Sequence, residues 1–125
     1  MDIEALETRA GGMSRGQIVA AASPERTGKQ RRHLRALGHA LKATAHIGNA
    51  GLTDGLRDQL AQLLDRHELI KVKINDGAAC TIGAAALWTH ETLDADVAQI
   101  IGKTILVYRP HPEKPVIRLP RAGAQ

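Results

Sequence analysis

The apolar residues between positions 27 and 108 change repeatedly between a helical spacing and a strict alternation, and this change of period constrains the fold most. A first helix is predicted over about residues 29–41, after Thr27, whose hydroxyl suits an N-cap. Its apolar positions recur at helical spacing: Leu34, Leu37 and Leu41. Residues 69–74, by contrast, alternate between apolar side chains and lysines, which is the period of a half-buried strand. A chain that uses both periods in turn predicts an α/β fold.

The remaining elements follow from the same two periods and from the turn residues between them. In chain order they are a strand over 44–47, a helix over 53–67, the strand over 69–74, an alanine-rich helix over 78–90, and a hairpin with strands over 97–101 and 104–108. Since crossovers through helices are right-handed, the first three strands should be parallel if they are adjacent. The predicted fold is a two-layer mixed sheet of about four strands with three helices, in the order α-β-α-β-α-β-β.

The two ends of the chain lack either period. Residues 1–26 contain glycines, serines and a proline without sustained spacing, so we expect a flexible N-terminal tail before a single domain over residues 27–121. A short helix over 3–9 and a start of the protein at Met13 are both compatible with this segment. Near the other end, residues 116–119 lie between two prolines and could form at most an edge strand.

A length of 125 residues suits one domain with a modest core, and the composition excludes several classes of protein. A single cysteine, Cys80, cannot form an internal disulfide, and no apolar stretch approaches the roughly 18 residues of a membrane span. The first residues also lack the apolar centre of a secretory signal. We therefore expect a soluble, cytoplasmic protein without a membrane partner.

The charge of the chain is divided unevenly along its length. The formal charge is +4, yet residues 28–47 carry five cations and no acid, whereas residues 48–101 carry four cations and eight acids. Residues 102–125 carry five cations and one acid. On a helical wheel the cations of the first helix lie on one side, away from its leucines. This pattern indicates an anionic partner, although a charged helix face is also common as a merely solvated surface.

Residues 48–51, Gly-Asn-Ala-Gly, lie where a predicted strand gives way to a helix. Two glycines three residues apart let a backbone approach a ligand without obstruction from side chains, and the N–H groups of a helix N-terminus favour an anion. The segment therefore predicts a contact with phosphate. An ordinary strand-to-helix turn is the alternative, because glycine is the default residue in such turns.

The sequence offers no scaffold for the common catalytic or metal sites. Both serines, Ser14 and Ser23, lie in the predicted tail, and residues 102–104, Gly-Lys-Thr, lack the earlier glycine of a phosphate-binding loop. Cys80 and His90 would lie about 15 Å apart at opposite ends of one helix. No pair of histidines has the spacing of a zinc site. We therefore expect neither catalysis nor a metal or other cofactor.

Aromatic side chains are almost absent, which limits the ways in which nucleic acid could be bound. The chain has one tryptophan, Trp88, one tyrosine, Tyr108, and no phenylalanine. Modules that stack bases on aromatic rings need an exposed set of such rings. Trp88 is expected in the core, so recognition of a nucleic acid should depend on contacts with phosphate and sugar.

Four segments in the same order resemble the YhbY family, the stand-alone bacterial form of the CRM domain, which is named for chloroplast RNA splicing and ribosome maturation. They are residues 27–34 (TGKQRRHL), 48–53 (GNAGLT), 67–74 (HELIKVKI) and 101–110 (IGKTILVYRP), and the resemblance extends over about residues 27–121. It implies an α/β domain similar to the C-terminal domain of translation initiation factor 3. It also implies an RNA-binding GxxG loop similar to that of KH domains, and association with precursors of the large ribosomal subunit.

Carried onto this sequence, the resemblance implies an RNA-binding site formed by the loop, the basic first helix and cations beside them. Its residues are Lys29, Arg31, Arg32, Arg35, Lys42, Gly48, Asn49, Ala50, Gly51, Lys71, Lys103 and Arg109. The expected protein is a monomer, and its expected partner is the precursor of large-subunit ribosomal RNA in a pre-ribosomal particle. The alternative is a protein-interaction module of the translation machinery that touches RNA only incidentally.

Overall fold

The structure, a computed structural model, describes residues 1–121 and consists of five helices around a four-stranded sheet. The elements are α1 (Ile3–Gly11), α2 (Arg15–Ala22), α3 (Gly28–Gly38), β1 (Ala43–Ile47), α4 (Asp54–His67), β2 (Leu69–Ile74), α5 (Ile82–Leu93), β3 (Asp96–Ile101) and β4 (Thr104–Tyr108). The predicted mixed α/β fold and its four strands are confirmed, and α3, α4 and α5 are the three predicted helices. Helices α1 and α2 were not predicted as a pair.

The strand order in the sheet is β1-β2-β4-β3. β1 pairs with β2 in parallel, and β4 pairs in an antiparallel manner with both β2 and β3. The first three strands therefore point the same way, but β4 lies between β2 and β3, so those two are not adjacent. β4 takes the central position because residues 105–108 are buried on both faces of the sheet. The carboxyl ends of β1, β2 and β3 consequently meet at one edge.

One face of the sheet, which we call the first face, packs into the larger hydrophobic core. This core joins the leucines of α4 to the inward residues of the strands and to most of α5. α5 is buried over seven successive residues, Gly83 to Thr89, which explains why its sequence shows alanines instead of an amphipathic pattern. Trp88 lies in this core, as expected.

The second face of the sheet carries a smaller cluster under α3. Leu34 of α3 packs there with Leu69, Ala98, Leu106 and Tyr108. The expected two layers therefore gain a partial third one, formed by α3 and by the end of the chain. The predicted apolar side of α3 is only partly buried: Leu37, within the helix, is 42% exposed, and Leu41, beyond its end at Gly38, is 37% exposed.

The N-terminal segment is not the flexible tail that we expected for residues 1–26. Asp2 caps α1, and Ser14 and Gln17 form a capping box at the start of α2. Four residues of these helices are buried in the larger core: Leu6, Ala10, Ile18 and Ala22. Large apolar residues are few in these two helices, which are held in place by packing against α5 and, for α2, also against β3.

Gly83 of α5 makes this packing feasible. A Cβ atom at this position would lie 2.8 Å from Cδ1 of Ile18 and 2.9 Å from Cβ of Ala10. Real Cβ atoms do not approach other atoms so closely, so any larger residue would push the N-terminal helices away. Gly83, although glycine is a poor helix former, is therefore the docking position for α1 and α2.

The end of the described chain is held by one buried carboxylate and does not form the edge strand considered for residues 116–119. Glu68 lies between α4 and β2 with a left-handed backbone, φ 60°. Its carboxylate accepts hydrogen bonds from the amides of His111 (2.7 Å), Val116 (2.9 Å) and Ile117 (2.8 Å). Burial alone would raise the pKa of Glu68, but these backbone hydrogen bonds outweigh burial and lower it. Residues 110–120, which we call the strap, thus lie over the second face without regular secondary structure.

Candidate nucleic-acid interface

The Gly-Asn-Ala-Gly segment forms a tight turn between β1 and α4. The amide of Gly51 donates to the carbonyl of Gly48 at 3.0 Å, and Gly51 has a φ of +70°. A Cβ atom at Gly51 would also lie 3.2 Å from Cβ of Ala79. Both the backbone conformation and the lack of space therefore require glycine at this position.

Two further loops brace this turn and lie beside it. The amide of Asn75 donates to Ile47 (2.9 Å), and the amide of Ala79 donates to Gly48 (3.3 Å). The amide of Ile74 donates to Lys103 (2.7 Å) in the turn between β3 and β4. We call residues 48–51, 75–79 and 102–103 together the loop edge, because they follow the carboxyl ends of β1, β2 and β3.

The tip of the GxxG turn presents its backbone to solvent. Asn49 and Ala50 are exposed, and no residue between positions 1 and 121 accepts a hydrogen bond from their amides. Successive uncommitted N–H groups in a turn form a concave site for an anion. This geometry fits the predicted contact with phosphate, with Ala50 contributing only its backbone.

The N-terminus of α4 contributes less to such a site than we expected. Thr53 caps the helix, and its hydroxyl already accepts from the amide of Leu56 at 3.1 Å. Asp54 follows with a side chain that is 93% exposed, and its carboxylate lies 3.7 Å from the guanidinium of Arg57. A negative charge in the first turn opposes a phosphate there, so the turn tip is the better anion site.

Lysines of β2 approach the loop edge on the second face of the sheet. Lys73 is exposed and stands opposite His46 of β1 and Thr104 of β4 in the sheet register. Lys71, two residues earlier, is half-buried. We did not include Lys73 among the predicted site residues, although its place directly before the turn at residues 75–77 could have indicated it. The second face therefore has an open basic strip next to the turn.

Four of the predicted cations are available to an anionic partner. Lys29, Arg32 and Lys42 are exposed and Arg35 is half-buried, and none of the four has an ion-pair partner within residues 1–121. α3, which carries three of them, lies on the second face with Gly38 against Leu106. The basic helix and the lysines of β2 thus share one side of the molecule.

Three other predicted cations are engaged within the protein: Arg31, Lys103 and Arg109, the last of which is described below. Arg31 donates through Nη1 to the carbonyls of Ser23 (3.3 Å) and Arg26 (2.7 Å). Lys103 pairs with Asp76, whose pKa is held below its ordinary value by the hydrogen bond and the charge of that lysine. Lys103 lies at the loop edge, but as part of a neutral pair.

Arg109 lies at the wrong end of the sheet for the role that we expected. Tyr108 pairs with Leu69, the first residue of β2. Arg109 therefore lies at the end of the sheet that is farthest from the loop edge. Its guanidinium donates to the carbonyls of Leu93 (3.0 Å) and Ala61 (3.2 Å) and to the carboxylate of Asp65 (2.9 Å). These contacts tie α4 and α5 to the end of β4.

A family model described as the CRS1 / YhbY (CRM) domain matches residues 27–109, which comprise the whole sheet, α3, α4 and α5. The chain belongs to this family. The predicted resemblance is thereby confirmed. The N-terminal helices α1 and α2 precede the matched residues, so they are additions to the CRM domain in this chain.

Relatives cover most of this chain along nearly their own full length. A Bacillus subtilis protein named "Probable RNA-binding protein YqeI" is 33% identical over 94 residues, which are 75% of this chain and 98% of the relative. A Haemophilus influenzae protein named "RNA-binding protein" is 37% identical over 97 residues, or 74% of this chain and 93% of the relative. The solution structure of SAV1595 from Staphylococcus aureus is similar, with a TM-score of 0.58, 34% identity, and coverage of 75% of this chain and 98% of that one.

Neither aromatic side chain of the CRM domain is available for stacking. Trp88 is buried in the larger core, and Tyr108 is buried in the smaller cluster. The guanidinium carbon of Arg26 lies 5.3 Å from the centre of the Tyr108 ring and covers it. Neither ring is therefore exposed as a platform for stacked bases.

Other kinds of site find little support in the part of the chain that the structure describes. Within it, no group of three or more histidine, cysteine, aspartate or glutamate side chains could hold a metal ion. No helix there is long and apolar enough to cross a membrane. Burial raises the pKa of the Cys80 thiol, and the carboxylate of Glu7 raises it further, so this cysteine is a poor nucleophile.

Proposed function

We propose that this protein binds RNA through the loop edge and the second face of its CRM domain. The observation that carries this proposal is the GxxG turn, whose two uncommitted amides lie at the end of the strand that places His46 beside Lys73. The names of the bacterial relatives, which describe RNA-binding proteins, support the same ligand.

The arrangement favours recognition of the RNA backbone. The amides of Asn49 and Ala50 would donate to one phosphate, while Lys73 beside the turn would neutralise a neighbouring one. Arg32 on α3 and Lys42, which precedes β1 at the end of the sheet away from the turn, would meet phosphates farther along the second face. Since both aromatic rings are buried, base stacking contributes little, and the shape of the RNA selects the site. If about four phosphates are neutralised, the logarithm of the affinity should fall against the logarithm of the salt concentration with a slope of about −3 to −4.

We further propose that the RNA is a precursor of large-subunit ribosomal RNA, within a pre-ribosomal particle. In this role the protein acts as a cytoplasmic monomer and as a binding factor, without catalysis. The proposal extends the resemblance to the YhbY family and has its own test. Crosslinking in cells, followed by sequencing of the attached RNA, should enrich ribosomal precursors. Recovery of no ribosomal RNA above background would overturn the role in ribosome assembly, whatever the affinity in vitro.

The contact at the turn is tested by placing a carboxylate where the phosphate would lie. Ala50→Asp should weaken binding to fragments of large-subunit ribosomal RNA at least tenfold, measured by fluorescence anisotropy, with an unchanged circular dichroism spectrum. Ala5→Asp, at an exposed position of α1 outside the CRM domain, makes the same change as a control. Equal affinities for Ala50→Asp and the control would contradict binding at the turn. They would instead favour the alternative, a protein-interaction module with incidental RNA contact.

A further inference from the structure

A second basic site lies where the added N-terminal helices meet the CRM domain. A cavity of about 400 Å³ opens between α2, α3 and β3. Its lining includes three arginines, Arg15, Arg31 and Arg35, together with Gln99, and no aspartate or glutamate. We call this cavity the arginine groove.

The three guanidinium groups are prepared for an anion. Arg31 is oriented by its hydrogen bonds through Nη1 to the carbonyls of Ser23 and Arg26, and Nε and Nη2 have no acceptor within the described residues. Arg15 and Arg35 have no ion-pair partner within residues 1–121. Three like charges in one groove repel each other unless an anion joins them. Guanidinium groups match the oxygens of phosphate in geometry as well as in charge.

The arginine groove continues towards the loop edge. Arg15 also lines a second cavity, of about 290 Å³, whose other walls include Asn75, Gly77 and Gly102. Gly77 in turn faces Asn49 of the GxxG turn, since a Cβ atom at Gly77 would lie 3.8 Å from Oδ1 of Asn49. The second cavity, which is also lined by the ion pair of Asp76 and Lys103, therefore lies between the turn and the groove on the β3 side of the sheet.

We propose that the arginine groove is a second phosphate site for the same RNA, and that α2 supplies Arg15 to extend the RNA-binding surface beyond the CRM domain. This proposal rests on the proposed RNA binding. It assigns a function to the added helices, which otherwise only pack against α5 and β3. A short RNA occupies the loop edge alone, whereas a longer RNA reaches both sites.

The test compares oligouridylates of about 6 and about 20 nucleotides. The variant Arg15→Gln/Arg35→Gln should bind the longer RNA about tenfold more weakly and with a shallower salt dependence, since each lost phosphate contact reduces the slope by about 1. The single variant Arg15→Gln should also lose affinity for the longer RNA but bind the shorter RNA as tightly as the wild type, because Arg15 lies outside the loop edge and the basic face of α3. Arg66→Gln/Arg118→Gln removes two exposed arginines outside the groove as a matched control. Arg31 is left intact because it also holds α3 in place.

The outcomes separate this proposal from the proposed function. If the double variant binds the longer RNA as tightly as the wild type, or loses no more than the control, the groove proposal alone is overturned. If the wild type binds neither RNA, the proposed function fails and the groove proposal fails with it. If Ala50→Asp changes nothing while the double variant loses affinity, the groove stands and binding at the turn fails.

A competition experiment distinguishes RNA from a small phosphate ligand. Inorganic phosphate at about 1 mM should not displace the longer RNA beyond the effect of the same ionic strength of chloride. Displacement in the wild type that disappears in the double variant would assign the groove to a small anion and overturn the proposal.

Discussion

The first face of the sheet packs into a core shared with four helices, whereas the described residues that pack on the second face come mainly from α3 and from the strap, through Ile117 and Leu119. Both faces use the same strands, whose side chains alternate between them. On the first face nearly every position is apolar and buried. On the second face Leu69 is followed by Lys71 and Lys73, so the covering ends where the lysines begin. The comparison places the core that stabilises the fold on one side of β2 and the proposed RNA contact on the other, so mutations should separate the two.

The largest effect is expected from a truncation in the core of the first face. Leu64 of α4 is fully buried, so Leu64→Ala should lower the free energy of unfolding by about 3 kcal/mol, because it loses apolar burial and leaves a cavity. Leu34→Ala makes the same change in the smaller cluster, which lies next to solvent and can collapse, and should have the smaller effect. Urea denaturation of both variants measures the difference. A greater loss for Leu34→Ala would contradict the ranking of the faces.

The strap over the second face should depend on the carboxylate of Glu68. In Glu68→Gln the amide can still accept from Val116 and Ile117 through one oxygen, but its NH₂ group opposes the amide of His111. The lost charged hydrogen bond should reduce stability by about 1 to 3 kcal/mol at neutral pH. Glu113→Gln, at an exposed position of the strap, is the control.

The same residue predicts how stability depends on pH. The pKa of Glu68 is lowered in the folded protein, so its carboxylate stabilises the fold above the unfolded-state pKa. That contribution is lost as the pH falls through the folded-state pKa. The wild type should therefore lose more stability between about pH 6 and pH 3 than Glu68→Gln does. Parallel pH profiles for the two proteins would show that the carboxylate does not hold the strap.

A smaller effect on stability is expected where the N-terminal helices pack against α5. Gly83→Ala forces a Cβ atom against Ala10 and Ile18, while it also gains helix propensity in α5. The net loss of stability should be about 1 kcal/mol. Relative to the wild type, the amides of α1 and α2 should exchange hydrogen faster, and those of α4 should change less. Gly55→Ala, at an exposed position of α4, gains propensity without the contact and serves as the control. If Gly83→Ala were more stable than the wild type, the prediction would be contradicted, because α1 and α2 would then shift away from the new Cβ atom at little cost.

The smallest effect on stability, with a distinct effect on binding, is expected from Lys73→Ala. The side chain is exposed, so the free energy of unfolding should change by less than about 0.5 kcal/mol. RNA affinity should fall about threefold and the salt dependence should become shallower by about 1 in slope. Lys114→Ala, in the strap, is the matched control. An equal loss of affinity in both variants would indicate a diffuse charge effect instead of a defined strip.

Much of the fold was predictable because its strongest elements have regular periods and clear caps. α4, β2 and the hairpin lie within a few residues of their predicted positions, and Thr27 and Thr53 cap α3 and α4. The pairing of β4 with β2 was not predictable, because it depends on burial from both faces. A short helix over residues 3–9 was compatible with the sequence and α1 lies there, but α2 was not predicted, and the docking of both depends on the missing side chain of Gly83.

The GxxG turn of the candidate site could be predicted from the sequence, but which cations accompany it could be predicted only in part. Glycine spacing identified the loop at residues 48–51, whose conformation requires Gly51. Composition could not tell which arginines serve the fold, because the partners of Arg31 and Arg109 are mostly carbonyls whose positions only the folded chain defines. The place of Lys73 beside the loop likewise follows from the register of the sheet.

The buried stretch of α5 has a consequence for solubility. Residues 83–89 are shielded partly by α1 and α2, although the family match begins only at residue 27. A protein cut back to residues 27–121 would expose an alanine-rich surface around Gly83, and apolar patches of this kind promote self-association. We expect such a fragment to aggregate at concentrations where the full chain is monodisperse, which light scattering can measure. We therefore expect the smallest well-behaved unit of this chain to be larger than the domain by which its family is recognised.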